Sequence, residues 1–172
     1  MNQTEWEGGT AVTQTPVVLH GRTVVPGIAE GEALVSSATV SGWGGIDPAR
    51  GVIIERRHPL YGQSFAGRIL VFPGAKGSSG WSGFFQATRL AGTAPLGMIF
   101  VTVTSKAALG AVVTRVPTLT DLDADPLTVI RTGDRVTLDA DTGTVTIHPV
   151  PALATAPVST SVHHPSTARS SQ

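Results

Sequence analysis

The residue types that could do chemistry are concentrated in one loop, residues 74–83, with the sequence GAKGSSGWSG. Lys76 supplies a cation, and Ser78, Ser79 and Ser82 supply hydroxyl groups. The glycines between them allow the backbone to come close to a ligand, because glycine lacks a Cβ atom. These residue types together predict a loop that binds an anion.

The elements on either side of this loop would place it at the edge of a sheet. Residues 68–72 (RILVF) form an apolar run typical of a buried strand, and the apolar residues of 81–88 recur at helical spacing. A loop that joins such a strand to such a helix lies at the carboxyl end of the sheet, where ligands of open α/β sheets bind. Unpaired N–H groups in the first helical turn favour a carboxylate or phosphate there, and Gly77 lets the backbone approach it.

Two well-known loop motifs are absent, and a structural interpretation of the loop stays open. The loop lacks the G-K-[ST] ending of a P-loop, and its serines do not fit the G-x-S-x-G elbow of esterases. Ser78 or Ser79 could simply cap the helix while the glycines form a turn. The residues alone therefore indicate either an anion-binding loop or a capped turn.

A second polar stretch precedes this loop, with GWGGIDP at residues 42–48 and RRHPLYG at residues 56–62. In the functional interpretation, Arg57 and His58 are polar groups at a pocket or an interface. In the structural interpretation, the stretch is a long loop in which Pro59 keeps His58 extended. A catalytic triad is not supported by this pattern.

The remaining signals predict a β-rich domain around one strand–helix repeat. Strand-like runs occupy residues 17–25, 31–35 and 52–55, and residues 135–138 and 144–147 predict a hairpin. A second buried strand at 96–103 is followed by a helix at 105–114 with Ser105 as its N-cap, and this order implies parallel pairing through right-handed crossovers. The strand-like runs imply a barrel-like or sandwich-like β layer. The predicted fold class is mixed α/β, a mixed sheet with helices on one side and a β-barrel-like layer.

Composition excludes several classes of function. The chain has 172 residues, a length typical of one domain, with 12 Lys and Arg against 12 Asp and Glu and no basic block, which disfavours nucleic acid and membrane surfaces. The absence of Cys excludes a thiol nucleophile, a disulfide framework and the usual ligands of an iron–sulfur cluster, so any cluster must come from a partner. A low charged fraction of 14% suits a subunit that another chain covers. We expect a cytoplasmic protein.

The domain boundaries follow from composition along the chain. Residues 1–15 show no hydrophobic period, and residues 149–172 are rich in Ser, Pro and Thr, so both segments are predicted to be disordered. The domain is expected at residues 16–148. The pair His163 and His164 in the tail has no third ligand nearby and does not indicate a metal site.

Three segments together resemble one family. They are PGIAEGEA at 26–33, WGGIDP at 43–48 with RHP at 57–59, and GSS at 77–79 with SG at 82–83. Their order and spacing over residues 20–148 are similar to the small subunit of the aconitase X group of hydro-lyases. The resemblance implies the swivelling β/β/α domain of aconitase and a large-subunit partner, in a heterodimer or higher assembly, that carries the iron–sulfur cluster.

The resemblance also implies roles for residues of both polar stretches. Ser78 matches the serine that accepts a proton in this family. The residues assigned to substrate binding are Lys76, Gly77, Ser79, Arg57 and His58. This chain departs from the family in one place, where Gly80 and Trp81 replace an expected Thr-Gly.

The family dehydrates two kinds of 3-hydroxy acid, and the sequence predicts the smaller one. A phosphate group needs several cations, and the sequence offers only Lys76 and Arg57 near the predicted site. This favours conversion of cis-3-hydroxy-L-proline to pyrroline-2-carboxylate over dehydration of mevalonate 5-phosphate. Residues 27–33 also resemble phosphohistidine swivelling carriers, although no histidine here follows their Gly-Gly-x-x-Ser pattern. A non-catalytic binding module is the remaining alternative.

Overall fold

The computed structural model describes residues 15–77 and 80–150, which form twelve strands and three helices. The strands are β1 (Val17–His20), β2 (Arg22–Val25), β3 (Ile28–Val35), β4 (Val40–Ser41), β5 (Ile46–Asp47), β6 (Val52–Ile53), β7 (Ile69–Phe72), β8 (Ala75–Lys76), β9 (Gly97–Phe100), β10 (Thr118–Thr120), β11 (Arg135–Asp139) and β12 (Thr144–His148). The helices are α1 (Trp81–Ala91), α2 (Ser105–Thr114) and α3 (Pro126–Val129). The predicted disorder of residues 1–14 and 151–172 lies outside the described residues.

Eight strands form one sheet that closes into a barrel. Their order is β1-β12-β11-β3-β7-β9-β10-β2, and Gly21 alone separates the two outermost strands β1 and β2. A side chain at Gly21 would meet Leu122 Cδ2 at 2.4 Å, so only glycine fits this bend without rearrangement. The run predicted as one strand at 17–25 is therefore two strands, which pair with opposite ends of the same sheet.

The barrel wall separates two apolar cores. Strands β7 and β9 are buried along their whole length, because alternate side chains enter the barrel or pack beneath the helices. Ile69 and Val71 of β7 lie in the core shared with the hairpin strands, whereas Leu70 and Phe72 lie in the core shared with α1 and α2. This arrangement confirms the predicted class, a mixed sheet with helices on one side of a barrel-like layer.

Most predicted elements are confirmed, and two further details are wrong. Strands β3, β7, β9 and β10 are mutually parallel neighbours, and the predicted hairpin is β11 and β12. The N-cap of α2 is Thr104, whose side chain accepts a hydrogen bond from the Ala107 N–H, and Ser105 is already helical. The run at 52–55 does not join the barrel, because β6 pairs with β5 in a small separate sheet and its Val52 also bridges Ser64.

Helix α1 is fixed by a buried aromatic cluster centred on Trp81. The Trp81 ring stacks on Phe85 with centroids 4.0 Å apart and lies 6.3 Å from the Phe72 ring. Its indole N–H donates to the Val40 carbonyl at 2.9 Å, so the buried polar atom is satisfied. On the other side, α2 approaches closely at Gly110, where a Cβ atom would lie 2.0 Å from Trp81 Cζ3.

Two helical glycines give a matched stability test of this packing. We expect Gly110→Ala to lower the free energy of unfolding by about 2 kcal/mol, because the added methyl group overpacks a core ring that cannot move aside. Gly83→Ala should raise it by up to about 1 kcal/mol, because open space surrounds Gly83 and alanine is the better helix former. Urea unfolding followed by circular dichroism measures both. Equal stabilisation by the two substitutions would contradict the close contact.

Candidate active site

Three chain segments meet at the carboxyl edge of the parallel strands. Because β3, β7 and β9 are parallel neighbours, the segments that follow them begin at the same edge. Of the residues that the structure describes, these segments are 36–68, 73–77 with Gly80, and 101–104. The short parallel pair β4 and β8 ties the first to the second, with Val40 opposite Ala75 and Ser41 opposite Lys76. The polar stretches singled out in the sequence are thus neighbours in space.

The glycine-rich loop adopts backbone conformations that glycine alone reaches readily. Gly74 and Gly77 have φ angles of +153° and +92°. Helix α1 begins after Gly80, which has no side chain to cap it, and the first turn holds no acidic residue. The N-cap position is thus Gly80 and not the predicted Ser78 or Ser79. Both serines lie outside the described residues, so the predicted roles of Ser78 as proton acceptor and of Ser79 as substrate ligand stay predictions.

Two lysines flank this loop. Lys76 Nζ lies 2.6 Å from Glu55 Oε1, and the two side chains are 54% and 26% exposed. Glu55 Oε2 is buried and has no hydrogen-bond partner among the residues that the structure describes. Lys106, in the first turn of α2, donates to the Gly77 carbonyl at 2.5 Å.

Sequence reasoning missed Lys106 and Glu55. A signal for Lys106 existed, because it follows the second predicted parallel strand and must lie at the same sheet edge as the loop. Glu55 offers no such signal, since it ends the strand-like run at 52–55 and no motif marks it as a site residue.

The other polar stretch places its two predicted ligands differently. Arg57 is exposed, whereas His58 is only 6% exposed. The Leu60 N–H donates to His58 Nδ1 at 3.1 Å, so the proton resides on Nε2, which lies 3.3 Å from Ser36 Oγ. Both ring nitrogens are engaged within the chain, and this geometry favours a structural role in which His58 holds its loop against the end of β3.

An apolar groove adjoins the loop. Its volume is about 370 Å³, and it is lined by Trp43, Pro48, Gly80, Gly83, Phe84 and Ala87. Trp43 is 79% exposed, and its ring meets Phe84 edge-on with centroids 5.8 Å apart. Trp81, the bulky departure from the expected Thr-Gly, lies in the core and its side chain does not line this groove.

The closed barrel, the two outer helices and the glycine-rich strand-to-helix loop define a swivelling domain of the aconitase type. A family profile described as "Aconitase X swivel domain" matches residues 18–147. The chain belongs to the aconitase X family, as the small subunit of a dehydratase.

Relatives and solved structures agree with this assignment. The chain is 37% identical over 127 residues to the phosphomevalonate dehydratase small subunit of Methanocella arvoryzae, covering 74% of this chain and 96% of that one. It is 39% identical over 129 residues to the subunit of the same description from Thermococcus kodakarensis, covering 75% and 95%. The crystal structure of Thermococcus kodakaraensis aconitase X in its holo form matches with a TM-score of 0.72 and 37% identity, covering 76% of this chain and 98% of that one.

The described residues offer no site for a bound metal. Residues 15–77 and 80–150 contain no group of three or more His, Asp or Glu side chains arranged to hold a metal ion, and the whole sequence lacks Cys. Within the same residues, none of the helices has the length and apolar character needed to cross a membrane. This chain therefore supplies none of the cysteine ligands that usually hold an iron–sulfur cluster.

Proposed function

We propose that this chain is the small subunit of a hydro-lyase that dehydrates a phosphorylated 3-hydroxy acid of the phosphomevalonate type. The active site would be shared with a large subunit, and this chain would contribute the loop at 74–83. The observation that carries the proposal is the hydrogen bond from Lys106 to the Gly77 carbonyl, which brings a second lysine next to the loop. The descriptions of the relatives support the same substrate class.

The balance of charge around the loop favours a dianionic group. From sequence, only Lys76 and Arg57 were expected near a ligand. The structure adds Lys106, and Arg56 is an exposed neighbour of Arg57 in the chain. Glu55 compensates one of these cations through its contact with Lys76. The remaining positive charge suits a phosphate, which binds several charge-assisted donors at once.

The proposed reaction removes water across two neighbouring carbons. A proton leaves the carbon next to the carboxylate and passes to Ser78 Oγ, hydroxide leaves the adjacent carbon, and a carbon–carbon double bond forms. Because a free hydroxyl is a weak base, the loop must stabilise the serine alkoxide, and the N-terminus of α1 provides a favourable dipole for it. A cluster held by the large subunit would supply a Lewis acid for the departing hydroxyl.

One observation favours the other substrate, cis-3-hydroxy-L-proline. The buried Glu55 Oε2 lacks a partner in the described part of the chain, and a substrate ammonium group would satisfy it. Dehydration of this amino acid to pyrroline-2-carboxylate is the second candidate function. It stays a prediction that the same assay tests.

The substrate assay uses this chain purified together with its large subunit. We expect kcat/KM for mevalonate 5-phosphate to exceed that for cis-3-hydroxy-L-proline at least about tenfold, since each lost charge-assisted contact costs about 1.5–3 kcal/mol. Mass spectrometry follows the product that has lost one water. Each subunit alone is the control and should show no turnover. The opposite ranking would assign the second candidate, and turnover of neither would contradict both.

A further inference from the structure

We propose that the groove formed by Trp43 and Phe84 is the docking surface for an apolar segment of the large subunit. The proposal rests on the proposed function, because it requires a large subunit that completes the active site. Its starting point is a tryptophan that is 79% exposed beside a partly buried phenylalanine. Tryptophan is among the residues that most often dominate binding energy at protein interfaces.

The exposure of Trp43 is fixed by the backbone on which it stands. The N–H groups of Gly45 and Ile46 both donate to the Gly42 carbonyl, at 3.2 and 3.3 Å, and Ser41 Oγ donates to the Trp43 carbonyl at 3.1 Å. At Gly42, a Cβ atom would lie 2.8 Å from Trp81 Cα, so this turn packs directly against the start of α1. Trp43 is thus presented outward on an ordered turn, which limits the entropy lost when a partner covers it.

The lining of the groove indicates what kind of segment enters it. None of the six lining residues carries a charge. Next to the lining residue Pro48 in the chain, Asp47 pairs with Arg50 at 2.6 Å, and the hydrogen bond from the Arg50 side chain holds the pKa of Asp47 below its usual value. An apolar lining, with the nearest acidic residue in the chain already paired to an arginine, fits an uncharged aliphatic or aromatic side chain and does not fit the anionic substrate.

The position of the groove indicates which partner enters it. Gly80 and Gly83 line the groove and also belong to the 74–83 loop. Any chain that covers the groove therefore abuts the loop, and a large subunit that completes the active site must approach this same loop. The groove is continuous with the shared site of the proposed function.

The test measures the affinity of the full chain for the purified large subunit by isothermal titration calorimetry. We expect Trp43→Ala to raise the Kd about 30-fold, the size of effect typical of a central aromatic contact. Ile28→Ala is the matched control. Ile28 is 64% exposed at the start of β3, the opposite end of the strand from the loop, and its removal should leave the Kd unchanged. Circular dichroism confirms that both variants fold, and sedimentation of the isolated chain reports self-association.

The outcomes separate this proposal from the function on which it rests. If the wild-type pair binds and dehydrates its substrate while Trp43→Ala leaves the Kd unchanged, the docking surface is wrong and the function stands. The Kd could also stay unchanged while sedimentation shows that the isolated wild-type chain forms a dimer and that Trp43→Ala is monomeric. The groove would then bind a second copy of this chain, and the proposal is overturned. If the wild-type chain binds no large subunit, both proposals fall.

Discussion

Replacing Ser78 by alanine is expected to lower kcat of the reconstituted dehydratase by roughly 100- to 10,000-fold. The substitution removes the proposed proton acceptor. It leaves in place the backbone N–H groups at the start of α1 that would bind the substrate anion. KM should therefore change only modestly, which is the pattern of a group that acts in the transition state. Steady-state kinetics of the purified pair measures both constants.

Two neighbouring serines serve as controls. Ser79→Ala and Ser82→Ala each remove one hydroxyl from the same loop and should cost much less activity than Ser78→Ala. If Ser78 only makes a hydrogen bond within the chain, its replacement should cost about 1 kcal/mol of stability and leave kcat within a few-fold. A thermal midpoint that falls while turnover is preserved would thus move the base elsewhere, most simply to the large subunit.

Replacing Lys106 by methionine is expected to raise KM for a phosphorylated substrate about 100-fold. The substitution keeps the aliphatic stem but removes the ammonium group that donates to the Gly77 carbonyl. The loop then loses both a tether and a positive charge, and a charge-assisted hydrogen bond is worth about 1.5–3 kcal/mol. Measuring kcat and KM separately distinguishes the loss of binding from the loss of chemistry.

Conservative and distant variants make this result specific. Lys106→Arg should recover much of the affinity, because it restores a positively charged donor near the loop. Arg89→Met removes an exposed cation from the last turn of α1, at the other end of the helix from the loop, and should leave KM unchanged. Equal effects of Lys106→Met and Arg89→Met would show that only the overall charge of the subunit matters.

The elements with a strong local signal were predictable from sequence. Trp81, Phe85 and Thr88 recur at helical spacing, and all three are buried on the inner face of α1. The helix ends at Gly92, which takes the left-handed conformation that glycine adopts readily. The parallel order of the strands followed from the strand–helix alternation. In both cases, residues close in the chain contain the information that determines the structure.

The features that escaped prediction depend on contacts between distant residues. The run at 52–55 has the composition of a barrel strand, yet β6 finds its partner in β5, only a few residues away. Lys106 contacts Gly77, which is 29 residues away along the chain, and Glu55 contacts Lys76, which is 21 residues away. Sequence patterns give the type of an element, whereas these pairings depend on how neighbouring loops pack at one sheet edge.

Because the bend at Gly21 sends β1 to one end of the sheet, the barrel closes only when β1 finds its partner there. Strand β1 pairs with β12, the last strand, and Val17 faces Ile147, about 130 residues further along the chain. Closure must therefore wait until nearly the whole domain has been synthesised, and contacts between residues so far apart form slowly. Until then, the apolar interior and the edges of β1 and β11 that β12 later covers are open to aggregation. The nascent subunit is thus most vulnerable to misassembly just before its final strand leaves the ribosome.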